Sequence, residues 1–172
     1  MADRQFAAKV DIELTVNGEP VEARVPAGQH LIDFLRQDLG LTGSHAGCEH
    51  GVCGACTVQL DGEIQRGCLV LAAQLDGAEI WTIEGVSETG IMRDLQTAFV
   101  ERNALQCGFC TPGMLFAAHD LLRSHKGVPD RATIRQHISG NYCRCTGYEA
   151  IVDAIEETAK RRFGQGEKVA VE

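Results

Sequence analysis

Eight cysteines constrain this 172-residue chain more than any other feature, because their spacing divides them into two groups of four. The first group begins in the glycine-rich stretch GCEHGVCGAC and is completed by one cysteine further along. The second group joins the stretch QCGFCTPG to the stretch NYCRCTGY. The first group consists of Cys48, Cys53, Cys56 and Cys68, and the second consists of Cys107, Cys110, Cys143 and Cys145. Each group has enough thiolates to hold a metal centre, so the spacing must indicate which kind.

In the first group, the spacing Cys-x4-Cys-x2-Cys with a more distant fourth cysteine predicts a plant-type [2Fe-2S] cluster. In such a cluster each iron takes two thiolates and two sulfides bridge the irons. The cluster is an anion, so its pocket must offer N–H donors rather than more negative charge. Glycines can adopt positive φ and turn their backbone amides toward the sulfurs. We therefore expect Gly47, Gly51 and Gly54 to form the cluster loop.

Three other sites compete with this prediction. A zinc site also takes four thiolates, although two separated Cys-x2-Cys pairs are its usual signature, and three cysteines within nine residues would crowd one ion. A Rieske centre would place a histidine where Cys56 lies, so His50 is interpreted as an exposed loop residue. Disulfides require an oxidising compartment, whereas the opening MADRQFAAKV does not resemble a signal peptide. Zinc stays open as the alternative metal.

The second group is informative because of the residues that come after each cysteine pair. Thr111 and Pro112 predict a helix N-terminus with Thr111 as its N-cap. The pattern Thr146-x-x-Glu149 predicts a capping box at the start of another helix. Helix N-termini carry partial positive charge and unpaired N–H groups, which suit a dianionic cluster held between them. Four thiolates could also hold zinc at this site, so that alternative stays open as well.

Together, the plant-type loop, QCGFCTPG and NYCRCTGY resemble the iron-sulfur small subunit of the molybdenum hydroxylases. This family includes xanthine dehydrogenase, aldehyde oxidoreductase and carbon monoxide dehydrogenase, and the resemblance runs from about residue 10 to about residue 162. It implies that the first group holds a [2Fe-2S] centre near a flavin and that the second holds a [2Fe-2S] centre next to a molybdenum cofactor. It further implies that Gln106 and Cys145 contact the pterin of that cofactor.

The hydrophobic pattern predicts an α+β fold. Strict alternation over residues 10–16, the turn at Asn17 and Gly18, and alternation over 21–25 predict a β-hairpin. A helix ending near Gly40 and strand-like runs at 57–60 and 79–83 come next. This order favours a β-grasp, plant-type ferredoxin-like domain over residues 1–84.

Between residues 84 and 90 the apolar period changes from 2 to 3.6, and we expect the domain boundary there. The remaining apolar stripes predict an all-α, four-helix domain over residues 85–163 that holds the second cluster. The last residues, 164–172, combine glycines and charges with little periodicity, which is typical of a flexible C-terminal tail.

Composition excludes several functions. A net charge of -8 argues against nucleic acid as a partner, and no stretch approaches the roughly 20 apolar residues of a membrane helix, so we expect no direct membrane insertion. The chain has neither a dinucleotide-binding nor a phosphate-binding glycine motif, and no cysteine is left over as a nucleophile. One-electron transfer is the predicted chemistry, without substrate turnover by this chain alone. Free thiols further indicate a cytoplasmic location.

Three functions are compatible with these residues. The first is the electron-transfer subunit of a molybdenum-dependent oxidoreductase; by resemblance, a large subunit carries molybdopterin, a medium subunit carries FAD, and the heterotrimer is either single or dimerised. The second is a free-standing two-cluster ferredoxin, which would have no use for a pterin contact at Gln106. A zinc-stabilised binding module is a third, and would be colourless where [2Fe-2S] centres are brown-red.

Overall fold

The computed structural model describes residues 8–164, and it opens with the predicted hairpin. Strand β1, Lys9–Val16, pairs antiparallel along its whole length with β2, Glu19–Pro26. Asn17 and Gly18 have φ angles of 54° and 85°, which is the conformation that a two-residue turn between twisted strands requires. The alternation in β1 points one set of apolar side chains into the core: Ile12, Leu14 and Val16.

The hairpin belongs to a five-stranded sheet with the strand order β2-β1-β5-β3-β4. The other three strands are β3 (Thr57–Leu60), β4 (Glu63–Arg66) and β5 (Glu79–Trp81). Strand β5 runs parallel to β1 and antiparallel to β3, and β3 pairs antiparallel with β4. The sequence Glu-Ile-Gln-Arg has only one apolar residue, which is why β4 escaped prediction from the pattern.

The first helix packs on this sheet. Helix α1, Leu31–Asp33, continues as wider π-type turns over Phe34–Asp38 and ends before Gly40, whose φ is 69°. A short 3-10 turn at Ala72–Gln74 lies on the same core. The apolar side chains between helix and sheet form a first core that includes Leu31, Phe34, Leu35, Val58 and Ile80.

The rest of the described chain is helical. Its helices are α2 (Ile83–Thr89), α3 (Arg93–Glu101), α4 (Thr111–Ser124), α5 (Arg131–His137) and α6 (Glu149–Phe163), with a 3-10 turn at Ile138–Gly140. Four of them were predicted, and α2 is additional. The backbone amide of Thr82, the N-cap of α2, donates to Asn17 Oδ1 at 2.8 Å. A contact 65 residues away in sequence thus fixes the start of α2.

A second core fills the space between the helices, and part of the sheet packs against it. Helix α4 crosses β3 and β4, and the half-buried side chains of Ile64 and Trp81 contact the helical core. Trp81 therefore serves packing. The largest fully buried side chains of this second core are Phe99, Phe116, Met92, Leu95, Met114 and Ile134.

This architecture confirms the predicted α+β class, a ferredoxin-like sheet followed by a helical region. Within residues 8–164, no helix combines the length and apolar character needed to cross a bilayer. The predicted tail, residues 164–172, lies outside the described residues apart from Gly164.

Candidate metal centres

The first cysteine group surrounds one loop between α1 and β3. Cys56 lies immediately before β3 and Cys68 just after β4, and each is 2% exposed. The amide of Gly67 donates to the Cys56 carbonyl at 3.1 Å, which holds the two buried cysteines side by side. Cys48 and Cys53 are half-buried on the outer side of the loop. The group is therefore buried at one pair of thiols and partly open at the other.

Backbone amides point at the Cys48 thiol, as predicted for an anion pocket. The Cys53 amide donates to Cys48 Sγ at 3.3 Å. Amides of His50 and Cys53 lower the pKa of the Cys48 thiol to about 6, against the opposing effect of burial. Burial, with a smaller contribution from the neighbouring Cys68 thiol, raises the pKa of Cys56 to about 11. Burial thus disfavours an uncompensated thiolate at Cys56, and a bound cation would offset this effect.

The three predicted loop glycines meet two different requirements. Gly51 and Gly54 have φ angles of 83° and 75°, which other residues rarely adopt. Gly47 instead leaves space, because a Cβ there would lie 3.0 Å from Cys53 Sγ. His50 is exposed, as its sequence context predicted.

The second cysteine group brings together two segments separated by α4 and α5. Cys145 Sγ lies 3.5 Å from Cys107 Sγ, and both residues are exposed. Cys110 is half-buried beside Cys143, and burial together with the Cys143 thiol raises the pKa of Cys110 to about 12. The four thiols thus approach each other as two pairs, with one cysteine of each pair coming from each segment.

Both predicted helix caps are wrong in detail. Cys110 itself occupies the N-cap position of α4, and Thr111 is the first helical residue, with no capping bond from its side chain. Helix α6 has Tyr148 as its N-cap, with a left-handed φ of 71°, and no capping box. The predicted box partner Glu149 instead pairs with Arg131 and Arg135.

Thr146 contacts a cysteine rather than capping the helix. Its hydroxyl donates to Cys143 Sγ at 3.1 Å and accepts the Tyr148 amide at 3.2 Å. The Cys143 amide in turn donates to the Tyr148 hydroxyl at 2.8 Å. Burial tends to raise the pKa of the Cys143 thiol, but hydrogen bonds from Thr146 and neighbouring amides outweigh burial and lower it. The second group therefore also places donors around a sulfur.

The contacts that join the loops of the two groups include one made by Tyr142 and one made by His45. The Tyr142 amide, next to Cys143, donates to the Cys53 carbonyl at 2.8 Å. The His45 ring stacks on Phe109 with centroids 4.6 Å apart, and its Nδ1 donates to the Phe109 carbonyl at 2.9 Å. Neither contact was predicted, because residues from distant segments are brought together only by the fold.

The donor sets fit two binuclear iron centres. Among the described residues, no three His, Cys, Asp or Glu side chains are arranged to hold a single metal ion. The thiols instead associate in pairs, Cys56 with Cys68 and Cys107 with Cys145 being examples. A [2Fe-2S] cluster takes its ligands in pairs, two thiolates to each iron. The amide and hydroxyl donors directed at Cys48 and Cys143 suit its negative charge. The predicted pterin contacts, Gln106 and Cys145, both lie on the exposed side of the second group.

Comparison with protein families agrees with this geometry. Residues 14–80 match the family model described as a 2Fe-2S iron-sulfur cluster binding domain. Residues 82–156 match a second model, described as a [2Fe-2S] binding domain. The two matches follow one another along the chain, and each contains one of the cysteine groups.

Individual relatives extend over nearly the whole chain. Caffeine dehydrogenase subunit gamma of Pseudomonas sp. (strain CBB1) is 51% identical over 150 residues, which cover 86% of this chain and 90% of the relative. The xanthine dehydrogenase iron-sulfur-binding subunit of Escherichia coli O157:H7 is 41% identical over 154 residues, covering 89% and 96%.

A solved structure shares the same fold. The match is a chain of quinoline 2-oxidoreductase from Pseudomonas putida 86, with a TM-score of 0.82 and 45% identity, covering 92% of this chain and 98% of that one. With two [2Fe-2S] domain matches and relatives aligned nearly end to end, this chain belongs to the iron-sulfur small subunits of the molybdenum hydroxylase family.

Proposed function

We propose that this chain is the electron-transfer subunit of a multi-subunit molybdenum hydroxylase. The observation that carries the proposal is the pair of four-thiol groups, joined by the 2.8 Å hydrogen bond from the Tyr142 amide to the Cys53 carbonyl. Relatives of similar length are named as subunits of dehydrogenases, among them caffeine dehydrogenase and xanthine dehydrogenase. The chain is thus one component of an oxidoreductase and is not expected to turn over a substrate alone.

We propose all eight cysteines as ligands of two [2Fe-2S] clusters. Cys48, Cys53, Cys56 and Cys68 would hold the first, and Cys107, Cys110, Cys143 and Cys145 the second. The pairing of thiols supports a model in which each pair would bind one iron. Cys56 and Cys68 would bind one iron of the first cluster, and Cys107 and Cys145 would bind one iron of the second. When bound, a [2Fe-2S] cluster accepts and releases one electron at a time.

The residues around the two groups would give the clusters different reduction potentials. Hydrogen bonds to sulfur and solvent exposure both tune the potential of an iron-sulfur centre. Backbone amides surround Cys48, whereas a threonine hydroxyl donates to Cys143. Cys56 and Cys68 are excluded from solvent, whereas Cys107 and Cys145 are exposed. Two steps of unequal potential allow electrons to move in one direction.

The exposure of one side of the second group supports the proposal that this side faces a large subunit that carries molybdopterin. Gln106 and Cys145 are both accessible, and we propose that they contact the pterin. We further propose a medium, FAD-bearing subunit as the acceptor beyond the first group, giving a heterotrimer that either stays single or dimerises. The reduced thiols that cluster ligation requires favour a cytoplasmic location.

Two hydrophobic cores support a division into two domains. We place the boundary at residue 84, so that residues 1–84 form the ferredoxin-like domain and 85–163 the helical one. The separate family matches over 14–80 and 82–156 support a division of the chain in this region. Because β5 and α2 are separated only by Thr82, the connection is short.

A free-standing ferredoxin would use the same thiols, and the relatives disfavour it because they are named as subunits. The deciding experiment purifies the chain with whatever partners co-purify and measures iron, sulfide, molybdenum and electron paramagnetic resonance. We expect about four irons per chain, two distinct reduced [2Fe-2S] signals, and molybdenum in the complex.

Cysteine replacements test the ligand sets within the same complex. Cys53→Ser should remove one signal and Cys110→Ser the other, each with loss of about two irons. Zinc in place of iron, or a complex without molybdenum, would refute the proposed function. Loss of both signals from a single replacement in a folded protein would refute the division into two sets.

A further inference from the structure

Asn141 is a buried polar residue that links the two cysteine groups. It is 2% exposed and lies two residues before Cys143. Its side-chain Nδ2 donates to the Gly54 carbonyl, in the loop of the first group, at 3.2 Å. Its Oδ1 accepts a hydrogen bond from Arg66 Nη2, also at 3.2 Å. Both ends of the amide are therefore used, and both bonds reach the other half of the molecule.

The backbone around this amide is packed too closely to admit another side chain. A Cβ added to Gly54 would lie 2.7 Å from Cγ and Nδ2 of Asn141. A Cβ added to Gly113, three residues after Cys110, would lie 2.1 Å from the Gly54 carbonyl oxygen and 3.2 Å from Asn141 Nδ2. Three segments that carry cysteines thus meet at one point. A shift of any one of them would displace the other two.

Arg66 completes the hydrogen bonding of this junction. Its Nη2 also donates to the Gly140 carbonyl at 2.9 Å, and its Nη1 donates to the Thr57 hydroxyl. That hydroxyl donates to the Gly54 carbonyl at 2.6 Å. The buried polar groups therefore form a satisfied network, and such networks fix a single arrangement because each broken bond leaves a buried group unpaired.

The backbone after Asn141 leads directly to the contact between the two groups. Tyr142, the next residue, donates its amide to the Cys53 carbonyl at 2.8 Å, and Cys143 comes after it. On the other side, Cys53 immediately precedes Gly54, whose carbonyl the Asn141 side chain holds. The side-chain bond from Asn141 to Gly54 and the backbone bond from Tyr142 to Cys53 therefore join adjacent residues of the same two segments.

We infer that Asn141 is a positioning residue for electron transfer between the two clusters, setting their separation and relative orientation through Gly54 and Tyr142. This inference rests on the proposed function, because it requires two clusters that exchange electrons. Asn141 binds no metal in this role. Its effect is to hold the Cys53 and Cys143 segments at a fixed distance.

The test uses the assembled complex with Asn141→Asp in this chain. Aspartate keeps the shape and the oxygen that accepts from Arg66, but it replaces the donor to Gly54 with a second oxygen. The matched control is Asn103→Asp, an exposed residue after α3 whose left-handed φ of 52° aspartate tolerates. The readouts are iron content, the magnetic interaction between the two reduced centres, and the rate of electron exchange between them.

We expect Asn141→Asp to keep both centres, to weaken their magnetic interaction and to slow electron exchange, on the order of tenfold or more, as small misplacements do in other reactions. Asn103→Asp should match the parent chain. Asn141→Ser, which is too short to reach either partner, should behave like Asn141→Asp and serves as the second variant.

Unchanged magnetic interaction and exchange rate in variants with both centres would overturn the inference and leave the proposed function intact. Loss of a centre from both variants would overturn it as well, because Asn141 would then be needed to hold ligands rather than to set their separation. Absence of two iron centres from the parent complex would instead refute the proposed function.

Discussion

The Tyr142 amide donates to the Cys53 carbonyl at 2.8 Å, and this bond is a direct backbone contact between the two cysteine groups. Cys53 belongs to the glycine-rich loop, and Tyr142 precedes Cys143 in the second group. A main-chain bond of this kind is independent of the side chain at position 142, which is 55% exposed. The donor can therefore be removed without replacing any of the eight cysteines.

Tyr142→Pro removes the amide donor and should slow electron exchange between the two centres by about tenfold or more, since the contact that holds the segments together is lost. Asn141 has φ −118° and ψ 111°, close to the extended region that a following proline favours. Tyr142→Ala keeps the amide and is the matched control. Flash-induced or stopped-flow reduction followed by optical spectroscopy of each centre measures the rate. Equal rates in both variants would show that the bond has no part in the exchange.

Thr146→Val should make the reduction potential of the second centre more negative. A hydroxyl donor to Cys143 Sγ stabilises the reduced, more negatively charged state, and valine has the same shape without the donor. If the bond is stronger by about 1 kcal/mol in the reduced state than in the oxidised state, its loss lowers the potential by about 40 mV. A redox titration monitored by electron paramagnetic resonance measures the change. Thr146→Ser keeps the hydroxyl and should retain the parent potential, and a fall in that variant too would argue against the hydrogen bond as the cause.

Gly113→Ala should destabilise the protein by about 1–3 kcal/mol, the usual range for forcing an extra methyl group into a packed site. The new Cβ would lie 2.1 Å from the Gly54 carbonyl oxygen, so α4 and the first loop must separate. Gly28→Ala is the control, because nothing lies within 4 Å of a Cβ at that position. Thermal unfolding followed by circular dichroism compares the two. A Gly113→Ala protein as stable as Gly28→Ala would contradict the close approach.

The Asp94–Arg162 pair should contribute stability that disappears in acid. Hydrogen bonds from Arg162 at 2.6 and 2.7 Å lower the pKa of the Asp94 carboxyl below its ordinary value of 3.8. The carboxylate is therefore favoured in the folded state, so its contribution is complete above pH 3.8 and is lost as the pH falls through the lowered pKa. Because the pair is partly exposed, Asp94→Asn should cost about 0.2–1 kcal/mol at neutral pH.

Urea unfolding of the parent and of Asp94→Asn at several pH values measures this contribution. The difference in unfolding free energy between them should narrow in acid, where the parent carboxyl is protonated. Asp61→Asn, at an exposed β-turn, provides a carboxylate control without an arginine partner among the described contacts. A difference between parent and Asp94→Asn that stays constant with pH would contradict the ion pair.

The sequence predicted the features that depend on local pattern. Alternation and the Asn-Gly turn predicted the hairpin, and cysteine spacing predicted the two groups. The pattern could not reveal β4, which has a single apolar residue, or α2, whose start is fixed by a hydrogen bond from Thr82 to Asn17. Both elements form because of partners that are distant in sequence.

The sequence predicted which cysteines form the two groups, but it did not predict the residues that contact them. Thr146 matches a capping box in sequence, yet its hydroxyl contacts Cys143, because the left-handed Tyr148 alters the helix start. His45 and Asn141 had no distinguishing motif, since their partners Phe109 and Gly54 lie 64 and 87 residues away. Only the packing of the helical region against the first loop brings them together.

The cysteines of the two groups are spread differently along the chain, and this affects how each group is brought together during folding. Three thiols of the first group lie within nine residues of one loop, so they are neighbours along the chain before any helix docks. The two halves of the second group flank α4 and α5, so its thiols converge only after those helices have docked. Completion of the second set of thiols therefore depends on the docking of α4 and α5, whereas most of the first set is already contiguous in one loop.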